Sequence, residues 1–257
     1  MNHPGLQRLL PPFLRRFVLH FETAIDANLA NFAGNLPAGA RVLDGGAGES
    51  SHARYFDRHR YVALDLAVGD PRWNYTRLDV VGDLTALPFR PGSFDACINI
   101  VTLEHVREPA LALREIHEAL NTGGRLLLIV PHEWEVHQSP HDYFRYTRHG
   151  ISYLLEKAGF KDFTVQPVGG YFRLLSRRLF NGLQFFPGPF VFLAALFLVP
   201  PALLLPLLDP LDKQRDFTLG YVCIARKHPG INSVSFPYTS DRGLGSPVES
   251  RSTGINS

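Results

Sequence analysis

Cysteine is scarce in this sequence: among 257 residues only Cys97 and Cys223 carry a thiol. Both lie inside apolar runs and in no paired or metal-type spacing. That excludes a disulfide-stapled scaffold and leaves two buried free thiols, as a reducing compartment favours. A charge excess is also missing. Lysine and arginine number 26 against 24 aspartates and glutamates, so no strong basic field points to nucleic acid, although Arg8, Arg15 and Arg16 stand near the N-terminus without an acid. No N-terminal stretch combines a basic start, an unbroken apolar core and a small-residue cleavage site, because prolines and arginines interrupt LLPPFLRRF. Export is not expected, and a cytoplasmic location is. Nor is there an internal repeat beyond a short GINS that occurs twice near the C-terminus.

What is present is enough for a core. The 45% hydrophobic content suits one α/β domain of about 200 residues with extensions. Helical spacing of Phe17, Val18, Phe21, Ile25 and Leu29 predicts an amphipathic helix from about Leu14 to Phe32. The short apolar runs RVLD, YVALDL, FDACINIV and RLLLIVP read as strands, and helical or turn-rich stretches such as EPALALREIHEAL separate them. Strand and helix in repetition imply a parallel sheet covered on both faces. A further helix is expected in TRHGISYLLEKAGF, with Thr147 as N-cap and Gly159 as stop, and FTVQPVG and FTLGYVCIARK read as two more strands. The resulting division is an N-terminal helical extension over 1–38, a main domain over 39–227 with an apolar insertion at about 171–216, and a disordered tail over 228–257.

The stretch RVLDGGAGES, from Arg41 to Ser50, is a glycine-rich turn with an acid at its start. In an open α/β sheet the ligand sits at the carboxyl ends of the strands, and Gly46 and Gly48 would let the backbone lie against it. Asp44 would repel a pyrophosphate there but favour a cofactor that carries positive charge. S-adenosylmethionine fits, since it has no phosphate and bears an ammonium and a sulfonium. Asp65, at the end of the second strand, can take both ribose hydroxyls as donors. Asp83, in GDLTALPF, can accept from the adenine amino group and is preferred to Asp79 for its place ahead of the LPF turn.

On VLDGGAG, Asp65, GDLTALPF, GSFDACINIVTLEHV and REIHEALNTGGRLLLIVP, in this order and spacing, the chain resembles the class I S-adenosylmethionine-dependent methyltransferases of the UbiE-like, small-molecule type. The resemblance covers roughly Arg41 to Phe160, and FTLGYVCIARK looks like the family's last, antiparallel strand. It implies a Rossmann-like, seven-stranded, mostly parallel sheet with helices on both faces and the apolar insertion before the last strand. It also implies that Asp44, Gly46 and Gly48 hold the methionine end, Asp65 the ribose, and Asp83 with Leu84 the adenine. Glu49 departs from the pattern, standing where many members carry a small residue.

Glu104 and His105, in LEHV, fall just past the fourth strand, where they would face a reaction pocket. The loop PHEWEVHQSPHDYFRYT brings His132, Glu133, His137, His141, Asp142, Tyr143, Arg145 and Tyr146 to the end of the fifth strand, where a substrate lid belongs. No metal is expected. His137 and His141 are four apart, but Pro140 denies them a regular helix. Substrate contact is the preferred reading, with Arg145 as clamp for an anionic group and a histidine, His105 or His141, as base for a hydroxyl or carbon acceptor. The alternative is a structural cap in which Asp142 pairs with Arg145 or Arg148. In-line displacement of a methyl group to a small-molecule, glycan or lipid-linked acceptor is the expected chemistry. A non-catalytic cofactor-binding or membrane-associated protein on the same fold stays open.

No charged residue occurs from Leu179 to Leu208. Length alone allows a membrane span, which needs about 20 apolar residues. Pro187, Pro189, Pro200, Pro201 and Pro206 argue against an unbroken spanning helix, and a single crossing would strand FTLGYVCIARK on the far side. The expectation is a broken apolar hairpin over 179–208. It either dips into the cytoplasmic leaflet with the neighbouring arginines at the headgroups or covers a lipophilic substrate or partner surface.

Overall fold

The computed structural model describes residues 17–229, so the readings on Arg8, Arg15, Arg16 and the segment beyond 229 lie outside the described residues. Helix α1, His20–Gly34, precedes strand β1, Arg41–Gly45. Then come β2, Arg60–Asp65, the two-residue β3, Val80–Val81, and β4, Phe94–Ile100. Helix α2, Pro109–Ala119, leads into β5, Leu120–Pro131. After a loop follow α3, Arg148–Lys157, β6, Asp162–Val168, α4, Tyr171–Gly182, α5, Phe190–Leu204, and β7, Gly220–Arg226.

All seven strands join one sheet in the order β3-β2-β1-β4-β5-β7-β6. Strands β1 to β5 run parallel, whereas β7 is antiparallel to both of its neighbours, β5 and β6. The central strands are apolar on both faces because consecutive residues feed two separate cores. Leu43, Leu126 and Leu128 face one side, with Leu113 and Ile116 of α2 and Ile151 and Leu155 of α3. Val42, Leu127 and Ile129 face the other, with Phe21, Leu29 and Phe32 of α1. Helix α1 therefore supplies the second core rather than standing off as an extension. Gly220 shows how closely it packs: a Cβ there would lie 2.4 Å from the Val130 carbonyl oxygen and 2.7 Å from the Phe21 ring.

Two signals in the sequence set the ends of α3. The Thr147 hydroxyl accepts from the Gly150 N–H at 3.0 Å, and Gly159, at φ +105, turns the chain out of the helix.

The antiparallel β7 also sets the place of the insertion. Pro131 at the end of β5, Gly220 at the start of β7 and Val168 at the end of β6 share one rung of the sheet. The insertion thus leaves and re-enters the domain at the edge where β1, β4 and β5 end. Its two legs are antiparallel. Asp209 accepts from the Gly170 and Arg173 N–H groups at the base, Ser176 donates to the Ala202 carbonyl at 2.5 Å, and Gly182 faces Leu198 near the tip.

One expectation about this segment is corrected. Pro200 and Pro201 do not end the helix: α5 runs through both to Leu204 and continues as a 3-10 segment, Leu205–Leu211, so that Phe190–Leu211 is one helical run of 22 residues, long and apolar enough to cross a membrane by length and composition. Proline's fixed φ is itself helical, and what it removes is an N–H donor and space for the carbonyl one turn back.

Candidate active site

The turn after β1 is built around a buried acid. Asp44 has no exposed surface; one carboxylate oxygen accepts from the Tyr61 hydroxyl and faces His52 Nδ1 at 3.1 Å. Its other oxygen is buried without a hydrogen-bond partner among the described residues. Burial, with the Asp44 charge second, pushes the Tyr61 phenol far above its ordinary range, so Tyr61 stays a donor to Asp44. Next, Gly46 adopts φ +88, and a Cβ there would fall 2.1 Å from Thr102 Cγ2. Only glycine lets the backbone pass this close to the end of β4.

Asp65 ties the turn to β2. One of its carboxylate oxygens accepts from the Gly48 N–H at 2.9 Å and the other from the Ala67 N–H at 2.8 Å. Each oxygen keeps a further lone pair for a ligand donor. Asp79 accepts from the Ala63 N–H at 2.8 Å and so braces β2, whereas Asp83 caps its own turn through the Thr85 N–H and stays exposed. Leu84, beside it, is buried against Gly45. Glu49 reaches across to accept from the Asn74 N–H at 2.9 Å, and the Trp73 ring lies over Gly48. The departure at Glu49 thus holds the loop after β2 down on the glycine turn. Sequence reasoning misses Trp73 and the Tyr61 and His52 contacts to Asp44. Only the aromatic pair in RWNY, within an otherwise polar loop, hints at Trp73.

Past β4, Thr102 begins a 3-10 turn, Leu103–His105, that buries Glu104 completely. Glu104 Oε1 lies 3.7 Å from His105 Nε2 and 3.7 Å from His137 Nε2, and neither of its oxygens has a hydrogen bond among the described residues. The ligand atoms of these three residues all lie within 4.8 Å of one another, close enough to share a proton or to hold a cation. Each imidazole turns Nδ1 to a backbone carbonyl, His105 to that of His141 and His137 to that of Glu135. A carbonyl only accepts, so both Nδ1 atoms carry the proton and both Nε2 atoms point at Glu104. Burial works against the charged form of His137, but Glu104, the Glu135 carbonyl and Asp142 together raise its pKa. The structure therefore brings His137 to His105, whereas His141 turns its ring to the Tyr143 hydroxyl at 3.1 Å.

Arg145 is engaged within the lid. Its side chain makes a two-pronged pair with Asp142 at 2.6 and 2.8 Å and donates to the carbonyls of Trp134, Glu135 and Phe144. These five contacts match the five N–H groups of a guanidinium and leave none for an anionic substrate. Although burial opposes it, this pairing holds the Asp142 carboxyl down at about 2. Arg145 braces the lid, and Asp142 pairs with it rather than with Arg148.

Residues 43–128 match the family model described as a methyltransferase domain. The matched segment runs from β1 into β5, the parallel part of the sheet. The chain is 31% identical over 135 residues to malonyl-[acyl-carrier protein] O-methyltransferase of Herminiimonas arsenicoxydans, a match over 50% of this chain and 51% of that protein. It is 38% identical over 96 residues to demethylmenaquinone methyltransferase of Renibacterium salmoninarum, over 35% and 40% of the two chains. The chain thus spans about half the length, or less, of these curated relatives. Among solved structures, phosphoethanolamine N-methyltransferase 2 of Haemonchus contortus in complex with S-adenosyl-L-methionine has a TM-score of 0.52 at 18% identity, over 80% of this chain and 53% of that one. The [4+2]-cyclase SpnF has a TM-score of 0.52 at 19% identity, over 79% and 82%. At these identities the structures speak for the shared class I fold alone.

Proposed function

We propose that the protein binds S-adenosylmethionine along the carboxyl edge of β1, β2 and β4 and transfers its methyl group to a small-molecule acceptor. When bound, that cofactor supplies a methyl group on a sulfonium, open to in-line attack. The residues present suit it. The unpartnered oxygen of Asp44 is a buried acceptor for an ammonium. Asp65 would hold the ribose hydroxyls, and Asp83 with Leu84 would hold the adenine.

The acceptor's nucleophile needs orientation first and a proton acceptor second. The Glu104, His105 and His137 cluster suits the second task. Its carboxylate is buried and has no hydrogen bond among the described residues, so a proton released beside it has a place to go, and the Nε2 atoms of both imidazoles lie 3.7 Å from it. The observation that carries the reading is Asp65, pinned by two backbone N–H groups beside the glycine turn. Replacing Asp65 with Ala is expected to weaken S-adenosylmethionine binding by about 2 to 3 kcal/mol. Calorimetry on the folded variant checks this, and unchanged affinity would remove Asp65 from the cofactor site.

A second reading is kept because the same fold carries a protein named as a [4+2]-cyclase. On that reading the cofactor site serves a reaction other than methyl transfer, or none. Intact cofactor binding with no labelled-methyl product from any fraction of cell extract would favour it.

A further inference from the structure

The hairpin of α4 and α5 is built inside out for a water-soluble protein. Its small residues face inward: Ala194 and Ala202 are buried, and the Ala202 carbonyl meets Ser176 of α4. Its large apolar residues face outward, with Phe192 78% exposed, Phe197 68%, Leu196 66% and Leu193 57%. Small residues at a helix contact and bulky ones outside are what helices use when the surroundings are hydrocarbon.

A protein partner would cover one stripe and leave polar flanks, but α5 has no polar position on any side. The tip fits the same surroundings. Pro187 and Pro189 have no N–H, and the N–H groups of Phe186, Val191 and Phe192 are bonded within the turn, which lowers the cost of taking backbone out of water. Both legs are rooted in one edge of the sheet, so the segment must return to the side it left. The leg of α5 over 190–200 is about 16 Å long at α-helical rise, roughly one leaflet of a bilayer whose hydrocarbon is about 30 Å thick.

The base of the hairpin is locked to the lid. Arg177 lies 3.6 Å over the Trp134 ring and pairs with Glu22 and Glu135, and Arg178 pairs with Glu133 and Glu135. Arg173 pairs with Asp209. The arginines expected at lipid headgroups are therefore engaged within the protein, and attraction to anionic lipid is not what seats the hairpin.

We propose that the hairpin inserts into one leaflet of a membrane and sets the lid side of the site against the lipid surface, so that the acceptor is a lipid or lipid-linked molecule taken from that leaflet. The acceptor class rests on the methyl-transfer reading, whereas insertion does not.

Flotation of the full chain with neutral phosphatidylcholine vesicles, without detergent, tests insertion. A variant in which Phe192, Leu193, Leu196 and Phe197 are all replaced by serine keeps the buried alanine side intact. The parent chain is expected to float at low and high salt alike, and the serine variant to lose at least tenfold in the vesicle-bound fraction at unchanged S-adenosylmethionine affinity. A Phe192→Trp variant adds a depth probe, and the fluorescence of its new indole is expected to be quenched by lipids brominated on the acyl chain. Equal recovery of parent and serine variant in the soluble fraction would overturn insertion. Indole fluorescence that the brominated lipids leave unquenched, or a detergent-free dimer abolished by the serines, would do the same.

Methyl-labelled S-adenosylmethionine with vesicles of a total lipid extract, beside an aqueous metabolite fraction, then tests the acceptor. Label in the organic phase is the expected result. Label in the aqueous fraction alone overturns the lipid acceptor. No label in either, with cofactor binding and flotation intact, overturns the transfer reading and leaves insertion supported.

Discussion

At the scale of single residues the site divides into groups that face a ligand and groups that hold others in place. Arg145 belongs to the second kind, since all its contacts are within the lid. Replacing it with Ala removes a two-pronged pair to Asp142, whose side chain is only 2% exposed, and is expected to destabilise the fold by roughly 1 to 3 kcal/mol. Thermal melting reads that loss, and cofactor affinity should not move. Unaltered melting with weakened acceptor binding would restore Arg145 as a substrate clamp. The depressed carboxyl of Asp142 gives the pH sign for the same pair. Its contribution is complete above the unfolded value near 4 and fades as pH falls through about 2, so the brace is insensitive to pH at neutrality.

His137 has the opposite sign. Its folded pKa is raised, so the contribution of its charged form is complete below about 6.5 and is lost as pH rises through the folded value. Glu104 is foremost among the groups that raise it. In a Glu104→Gln variant, burial is left as the dominant influence, and the His137 titration followed by NMR is expected to move downward. A titration that stays in place would mean that Asp142 and the Glu135 carbonyl suffice, and would remove Glu104 from the pair.

At the scale of elements, the signals that can be read along the chain are those with a local cause. The Thr147 cap, the Gly159 stop and the alternation of apolar runs with breakers each act within a few residues, so they are visible in a linear sequence. The five prolines between 179 and 208 mislead because proline's effect on a helix depends on what surrounds it. Pro200 and Pro201 remove two N–H donors from α5, yet the helix runs through both with α4 packed along the same stretch, and the Ser176 hydroxyl serves the Ala202 carbonyl, whose partner one turn on would be Pro206. The place of helix α1 is hidden for a related reason. Its apolar stripe is legible, but that Phe21 lies against Gly220, nearly two hundred residues on, is a fact about sheet order. Nothing in either residue's neighbours states it.

At the scale of the whole molecule, the arrangement of the proposed cofactor site can be read along the chain because Asp44, Gly46, Gly48 and Asp65 fall within one strand, its turn and the next strand. The proposed proton-accepting cluster cannot, because Glu104 and His105 follow β4 whereas His137 lies in the lid, and they meet only across the edge of the sheet. Arg177 is where these parts join: its guanidinium covers Trp134, which itself packs against Phe21 of α1, and it pairs with Glu22 and Glu135. One side chain thus bridges hairpin, lid and second core. Its side chain is 15% exposed, so loss of these contacts should be felt in the parts that it joins and not in the sheet. In an Arg177→Ala variant, amide hydrogen exchange is expected to rise several-fold across residues 132–146 and in the first turns of α1 and α4, while β1, β4 and β5 keep the protection of the parent. Exchange that rises uniformly would show instead that Arg177 supports global stability, and exchange that does not change in the lid would show that hairpin and lid are coupled through other contacts.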